Sequence, residues 1–286
     1  MVEFQVPEVD YTRYSNRQLA GIPLAILVLA LLVIAGWYVA TGAPVTPGID
    51  FTGGTEMRVQ TTASQSQIQT AFDSDVASVT PSATSNNEYI VTFQDTDTSS
   101  LTSQANSAGY EVLSVQSTSA SFGSNSQQLA IYGIVAAFAG MSIIVFLMFR
   151  SFVPSIAVVI SAFSDIVIPV ALMNVFGIEL SLGTVAALLM LIGYSVDSDI
   201  LLNNHVLRRS GGFYESTYRA MRTGVTMTVT SLAAMAVMTI VAYIFQIGLL
   251  TAIGTVLVMG LATDLMNTYM LNLSLLRWYK FEGVAR

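Results

Sequence analysis

The chain has no cysteine, a single histidine and few charged residues. Charged side chains are 10% of its 286 residues, hydrophobic residues are 53%, and the mean hydropathy is +0.64. The lack of cysteine excludes a disulfide framework. The sequence also has no nucleotide-binding motif and no cluster of metal-ligand residues. This composition is typical of a membrane protein and not of a soluble enzyme.

Six apolar runs are long enough to cross a hydrocarbon core about 30 Å thick. They lie near 20–40, 129–149, 153–176, 182–206, 223–246 and 249–274. We predict an α-helical polytopic membrane protein with six transmembrane helices. Its predicted parts are a cytoplasmic segment 1–19, a first span 20–41, an external domain 42–127, a bundle of five helices 128–276 and a cytoplasmic tail 277–286.

The basic residues predict the orientation of the spans. Ten of them fall on one side of the predicted membrane: Arg13, Arg17, Arg150, Arg208, Arg209, Arg219, Arg222, Arg277, Lys280 and Arg286. Only Arg58 falls on the other side. Because basic residues favour the cytoplasmic side, both termini are predicted to be cytoplasmic and segment 42–127 extracytoplasmic, in the cytoplasmic (plasma) membrane.

The external segment is acidic and rich in Ser, Thr, Gln and Asn. This composition suits high-salt surroundings and favours a halophile; the alternative is an ordinary soluble, polar domain. Period-two alternation and helix-capping residues predict strands at 56–62, 76–80, 88–94 and 110–117 and helices at 66–72 and 99–107. The order βαββαβ predicts a small α+β ferredoxin-like fold. Since the segment has no histidine, cysteine or phosphate loop, we interpret it as a binding or docking module.

Four aspartates lie inside the apolar runs. Asp197 and Asp199 are in the fourth run, Asp165 is in the third and Asp264 is in the sixth. A charged side chain at mid-membrane costs about 2.5–3.5 kcal/mol on insertion scales. Charged residues kept at such a cost usually serve ion movement, ligand binding or a tight structural pair. We therefore expect these aspartates to carry the function.

Helix geometry separates the two aspartates of the fourth span. At 100° per residue their side chains point about 200° apart, so both cannot face one groove. Asp197 shares a face with Gly193, whereas Asp199 shares one with Ser195 and Asn203. We favour Asp197 as the relay acid, because a small residue allows another helix to approach closely. For Asp199 the alternative is a structural hydrogen bond between helices.

Three further polar groups have open interpretations. Asp165 and Asp264 serve either an ion relay or a hydrogen bond between helices. Arg222 either pairs with an aspartate or anchors the helix at the interface, since long cationic side chains reach the headgroups readily. Thr223 and Thr226 either carry water or pack against another helix, and packing is the commoner role of threonine in membranes.

Four short motifs stand out along the chain. The first is the run Gly48-Ile49-Asp50-Phe51-Thr52-Gly53-Gly54-Thr55, directly after the first span. Residues 164–168 (SDIVI), residues 192–195 (IGYS) and the pair Arg222-Thr223 follow in the third, fourth and fifth spans. In sequence and in order these motifs resemble those of the SecF family of protein-export membrane proteins, in which a signature like the first run opens the external domain. We expect the Gly53-Gly54 pair to form a tight connection to the first strand, with no helix starting there, and not a phosphate cradle.

One position departs from the bacterial pattern. Ser198 stands where bacterial members commonly have an aspartate, and the acids here flank it at Asp197 and Asp199. This departure indicates an archaeal type of the family and leaves open which acid acts as the relay.

The resemblance implies energy transduction without covalent chemistry. It implies an RND-type fold, a heteromer with SecD beside the Sec translocation channel, unfolded preproteins as substrates, and H⁺ or Na⁺ as the coupling ion. Contacts with membrane lipids are expected; catalytic residues, bound metal, organic cofactors and nucleic-acid partners are not. The implied relay uses Asp165, Asp197 or Asp199, Arg222 and Asp264, while Gly193, Ser195, Ser198, Asn203, Thr223 and Thr226 pack or hydrogen-bond nearby.

Three other functions would require different features. A scaffold of the export channel would tolerate loss of every buried acid. A small-molecule or lipid exporter of RND type would usually have a larger external domain with an apolar pocket. An intramembrane aspartyl protease would need a Gly-x-Gly-Asp pattern, and Tyr194-Ser195-Val196 precedes Asp197 instead.

Overall fold

The computed structural model describes residues 9–81, 87–208, 211–245 and 247–283, so the ends of the predicted segment 1–19 and tail 277–286 lie outside the described residues. In chain order the helices are α1 (Asn16–Thr41), α2 (Ile49–Thr52), α3 (Gln65–Thr70), α4 (Thr98–Ser107), α5 (Ala120–Phe149), α6 (Phe152–Phe176), α7 (Leu182–Arg208), α8 (Phe213–Ile244), α9 (Gly248–Met266) and α10 (Leu273–Trp278). The strands are β1 (Gly54–Gln60), β2 (Val76–Pro81), β3 (Glu88–Phe93) and β4 (Glu111–Thr118).

The six predicted spans are confirmed as helices long and apolar enough to cross a membrane: α1, α5, α6, α7, α8 and the helix that begins with α9. α6 and α7 are the most buried of the six, whereas α5 and α8 expose most of their apolar surface. The exposed apolar surface belongs against lipid or another membrane protein. The chain is therefore a multi-pass membrane protein whose centre lies at α6, α7 and α9.

The last span changes its helical pitch near its middle. α9 passes without a break into a π-helical segment, Asn267–Asn272, which leads into α10 and a second π-helical segment, Tyr279–Gly283. π-helical turns are rare and occur frequently at functional sites. The first of these segments holds Asn267, Thr268 and Asn272, all three fully buried.

The external domain has the predicted ferredoxin-like topology. Its sheet has the order β2-β3-β1-β4 with every neighbouring pair antiparallel. β3 thus lies between β1 and β2, as in a split βαβ unit. One face of the sheet forms a core with α3 and α4 around Met57, Val91, Phe93 and Leu101, all fully buried.

The second span begins earlier than the hydropathy predicts. α5 starts at Ala120, where the Ser119 hydroxyl caps the helix by accepting from the Phe122 backbone N–H at 3.3 Å. Residues 120–127 are helical but mostly polar, so hydropathy alone does not predict that they belong to the helix. They extend α5 toward the external domain.

The Gly53-Gly54 pair forms the predicted tight connection. Both glycines have positive φ, +75° and +117°. A Cβ on Gly53 would lie 2.6 Å from the Ala120 Cα, and one on Gly54 would lie 2.2 Å from the Phe93 carbonyl oxygen. A single helical turn, α2, precedes the pair, with the Gly48 carbonyl accepting from the Phe51 and Thr52 N–H groups. The strand β1 begins at Gly54, so no helix starts at the pair, as expected.

Candidate ion-relay site

Three carboxylates meet in the centre of the bundle. Asp165 comes from α6, Asp199 from α7 and Asp264 from α9, and each is at most 1% exposed. They lie close enough to repel one another when ionised. The ion pairs seen among the described residues do not involve them. Because an unpaired buried charge is costly, this cluster needs bound protons or a cation from elsewhere.

Asp165 joins three helical segments. Its Oδ2 accepts from the Ser195 hydroxyl of α7 at 2.5 Å, and its Oδ1 accepts from the Asn267 amide of the π-helical segment at 2.6 Å. Each oxygen thus has one donor from a different neighbouring helix. Any change in the charge of Asp165 acts directly on the packing of α6 against α7 and the last span.

The other two acids share donors from α7 and the π-helical segment. Asp264 faces the Ser198 hydroxyl at 2.8 and 3.0 Å. Oδ1 of Asp199 accepts from Thr268 Oγ1 and from Asn272 Nδ2, both at 2.8 Å. Thr268 also lies 3.4 Å from Asp264, so it links the two acids.

Two local features bring these residues together. A Cβ on Gly260 would lie 2.2 Å from Leu191 Cδ1, which shows how closely α9 approaches α7 one turn before Asp264. The π-helical segment then turns Asn267, Thr268 and Asn272 inward together. Residues 267 and 272 are five positions apart and would point about 140° apart in a regular α-helix, whereas the i→i+5 pitch of a π-helix brings such residues to one face. The site therefore depends on both a small residue and a change of helical pitch.

The structure places Asp199, and not the favoured Asp197, among the other carboxylates. Asp197 is exposed and lies with Gly193 in a shallow apolar groove lined by Ala137, Met141 and Ile144 of α5. A Cβ on Gly193 would meet nothing within 4 Å, so no helix in the described part of this chain uses the close approach that a glycine allows. The expectation that these two acids point to different sides of α7 is confirmed.

Arg222 and its two neighbouring threonines lie away from the cluster. Arg222 and Thr223 are exposed, and the described ion pairs do not include Arg222. The Thr226 hydroxyl donates to the Arg222 carbonyl of its own helix at 2.7 Å. Asn203 is fully buried and donates to the Pro154 carbonyl at 3.3 Å, which joins α7 to the start of α6.

Sequence reasoning missed Asn272. The stripe Asp264, Thr268 and Asn272 has a spacing of four residues, and this polar spacing in an apolar run was a usable signal. Ser195 and Ser198 were expected to pack or hydrogen-bond near the relay, and the structure shows each hydroxyl in contact with one buried carboxylate. With carboxylates and hydrogen-bond donors, the cluster is chemically suited to bind and release a proton or a small cation.

Comparison with known proteins identifies the family. Residues 98–282 match the model of "Protein export membrane protein SecD/SecF, C-terminal", and residues 39–65 match the "SecD/SecF GG Motif". The protein-export membrane protein SecF of Haloferax volcanii is 72% identical over the full length of both chains, and that of Haloquadratum walsbyi is 69% identical, also over full length. The chain belongs to the SecF family.

A solved structure shares the fold of this SecF-family chain. It is the crystal structure of SecDF, a translocon-associated membrane protein from Thermus thermophilus, with a TM-score of 0.72 and 18% identity. The match covers 98% of this chain but only 40% of the SecDF chain. The six-helix architecture with its external domain is therefore confirmed, and the relatives from haloarchaea agree with the expected halophilic origin.

Proposed function

We propose that this chain assists the export of unfolded preproteins across the cytoplasmic membrane, together with SecD beside the Sec channel, and that the proton or sodium gradient supplies the energy. The observation that carries this proposal is the cluster of Asp165, Asp199 and Asp264, buried on three helices without a basic partner in the described residues. Both termini are placed in the cytoplasm, because ten of the eleven basic residues then face it.

Neutralising a carboxylate in this cluster changes the force between helices. Protons or cations that bind there remove repulsion among the three acids, and their release restores it. Such a change favours one of two packings of α6, α7 and α9. One elementary charge that crosses about 100 mV releases about 2.3 kcal/mol, enough to shift such a population tens-fold. Movement of the helices would then reorient the external domain, which helps draw the emerging polypeptide outward.

Asp197 is proposed as a contact to SecD. It is an acidic group in an apolar groove between α5 and α7, on the outer surface of the bundle. A carboxylate exposed to lipid is costly, whereas a polar or basic group of a neighbouring membrane protein would stabilise it. On this assignment Asp199 is the relay acid of α7, and Asp197 contributes to assembly.

The test is export of a secretory precursor by pulse-chase in cells whose only SecF-family protein is this chain. Asp199→Asn is expected to block export while the protein still assembles with SecD, and Asp197→Asn is expected to weaken co-purification with SecD. Asp73→Asn, at an exposed acid of the external domain, is the matched control for both. Normal export by Asp165→Asn, Asp199→Asn and Asp264→Asn would overturn the proposal and leave a scaffold of the channel.

A further inference from the structure

The segment between α1 and β1 is fastened to the loop between α6 and α7. The Gly48 N–H donates to the Leu180 carbonyl at 2.9 Å, and the Leu180 N–H donates to the Thr46 carbonyl at 2.8 Å. Pro47 and Leu180 thereby pair as a short parallel bridge. Two stretches more than 130 residues apart in the chain are thus joined by backbone hydrogen bonds.

Asp50 adds a contact to the first residue of α7. Its Oδ2 accepts from the Leu182 N–H at 3.0 Å. The first N–H groups of a helix have no partner inside the helix and carry partial positive charge. Two N–H groups at this end have local partners: the Ser181 N–H donates to the Thr184 hydroxyl at 2.7 Å, and the Thr184 N–H donates to the Ser181 hydroxyl at 3.1 Å. Asp50 completes the cap from a different part of the molecule.

The same segment continues directly into the external domain through close contacts. A Cβ on Gly48 would lie 3.1 Å from Glu179 Oε2 and 3.2 Å from the Leu180 carbonyl oxygen, so the contact is closely packed. Asp50 lies on α2, and α2 is joined to β1 through the Gly53-Gly54 connection with its close backbone contacts. Close contacts thus run from the start of α7 to the first strand.

We propose that Thr46–Gly48 and Asp50, held against residues 179–182, form a clamp that fixes the external domain to the outer end of α7, so that movement of α7 is passed to the domain. This inference rests on the proposed function, because α7 carries Asp199. It assigns Asp50 a positioning role through its contact with Leu182. Asp50 takes no part in the ion relay.

The distance between the external domain and the bundle tests the clamp. The chain has no cysteine, so two introduced cysteines can be labelled without background. Spin labels at Ser103→Cys on α4 and Phe245→Cys after α8, both exposed positions, measure this distance in the reconstituted protein. Asp50→Ala is expected to replace a single narrow distance distribution by a broad one. Asp50→Asn should retain most of the narrow distribution, since its amide oxygen still accepts from Leu182. Asp73→Ala is the control.

An unchanged distribution in Asp50→Ala would overturn the clamp. This readout does not depend on export, so it stays separate from the proposed function, which normal export by the Asp165, Asp199 and Asp264 variants would reject. A second test uses Pro47→Cys with Leu180→Cys, whose paired positions lie within disulfide reach. Export should continue with this disulfide closed. A block of export that reduction reverses would show that the contact must open, and would also overturn the clamp.

Discussion

The Ser198 hydroxyl oxygen lies 2.8 and 3.0 Å from the two carboxylate oxygens of Asp264 and 2.9 Å from the Ser195 carbonyl. A serine hydroxyl has one hydrogen and two lone pairs. It can donate to an ionised Asp264, or it can donate to the Ser195 carbonyl and accept the hydrogen of a neutral Asp264. Ser198 can therefore hydrogen-bond with Asp264 in both protonation states of the carboxyl group without a movement of the backbone, which suits a proton-binding site.

Replacement of Ser198 by alanine should therefore harm both stability and export. Asp264 would lose this hydroxyl and keep the longer contact with Thr268 at 3.4 Å, and a buried polar group that loses a partner costs about 1–3 kcal/mol. We expect Ser198→Ala to lower the unfolding temperature in detergent and to slow export. Ser142→Ala is the control, because that hydroxyl donates only to the Phe138 carbonyl of its own helix. Equal effects of the two substitutions would contradict the assignment.

The helices and strands could be predicted because they depend on local patterns. Apolar runs located all six spans, and the period-two alternation at 89–93 identified a strand that the structure confirms as Glu88–Phe93. The start of α5 was not predicted, because residues 120–127 are polar and their helix depends on the Ser119 cap and on Gly123 against Phe51. A Cβ on Gly123 would lie 2.8 Å from the Phe51 carbonyl oxygen.

The site could be predicted only in part. The cost of a charge in a membrane pointed to four aspartates without any structure: Asp165, Asp197, Asp199 and Asp264. Helical geometry fixed the angle between Asp197 and Asp199, but which of them faces inward depends on how α7 is rotated against α9. That rotation is set by the packing of Gly260 against Leu191 and by the π-helical segment, and neither has a reliable local signature.

Gly54 offers a test of the connection between the membrane and the external domain. Gly54→Ala places a methyl group 2.2 Å from the Phe93 carbonyl in addition to the strain of φ +117°. Gly109→Ala meets nothing within 4 Å at φ +78°, so it has the backbone strain alone, about 1–2 kcal/mol. We expect proteolysis of the external domain to be faster in Gly54→Ala than in Gly109→Ala. The reverse order would contradict the described contact.

The junction of the two domains should respond to pH through Glu179. Burial raises the pKa of Glu179, and the nearby carboxylate of Glu56 raises it further. Burial also raises the pKa of Glu56; the charge of Arg58 lowers this pKa in part, and the charge of Asp50 adds to the rise. The folded form therefore binds protons more tightly than the unfolded form. The stability from this contact is complete below the ordinary glutamate pKa of about 4.3 and is lost as the pH rises through the raised values.

Glu179→Gln, which cannot ionise at this position, tests whether ionisation of Glu179 lowers the stability of the protein. Its unfolding temperature should equal that of the unsubstituted protein at acidic pH and exceed it increasingly as the pH rises toward neutrality. Glu111→Gln, at an exposed acid of β4, should show no such divergence. If Glu179→Gln is less stable at neutral pH, then the ionised form of Glu179 stabilises the junction, contrary to the prediction.

Asn272 distinguishes protons from sodium as the coupling ion. Its amide nitrogen donates to Asp199 Oδ1 at 2.8 Å, and its own Oδ1 has no hydrogen-bond partner among the described residues. The donors around the cluster turn hydrogens toward the carboxylates, an arrangement that stabilises the ionised carboxylates; a bound sodium ion would instead need the side-chain oxygens turned toward it. We expect Asn272→Leu, which keeps the branched shape of the side chain, to slow export about fivefold through the loss of about 1 kcal/mol, with no dependence on sodium. A rise in the sodium concentration required for export would instead identify the amide oxygen as a cation ligand.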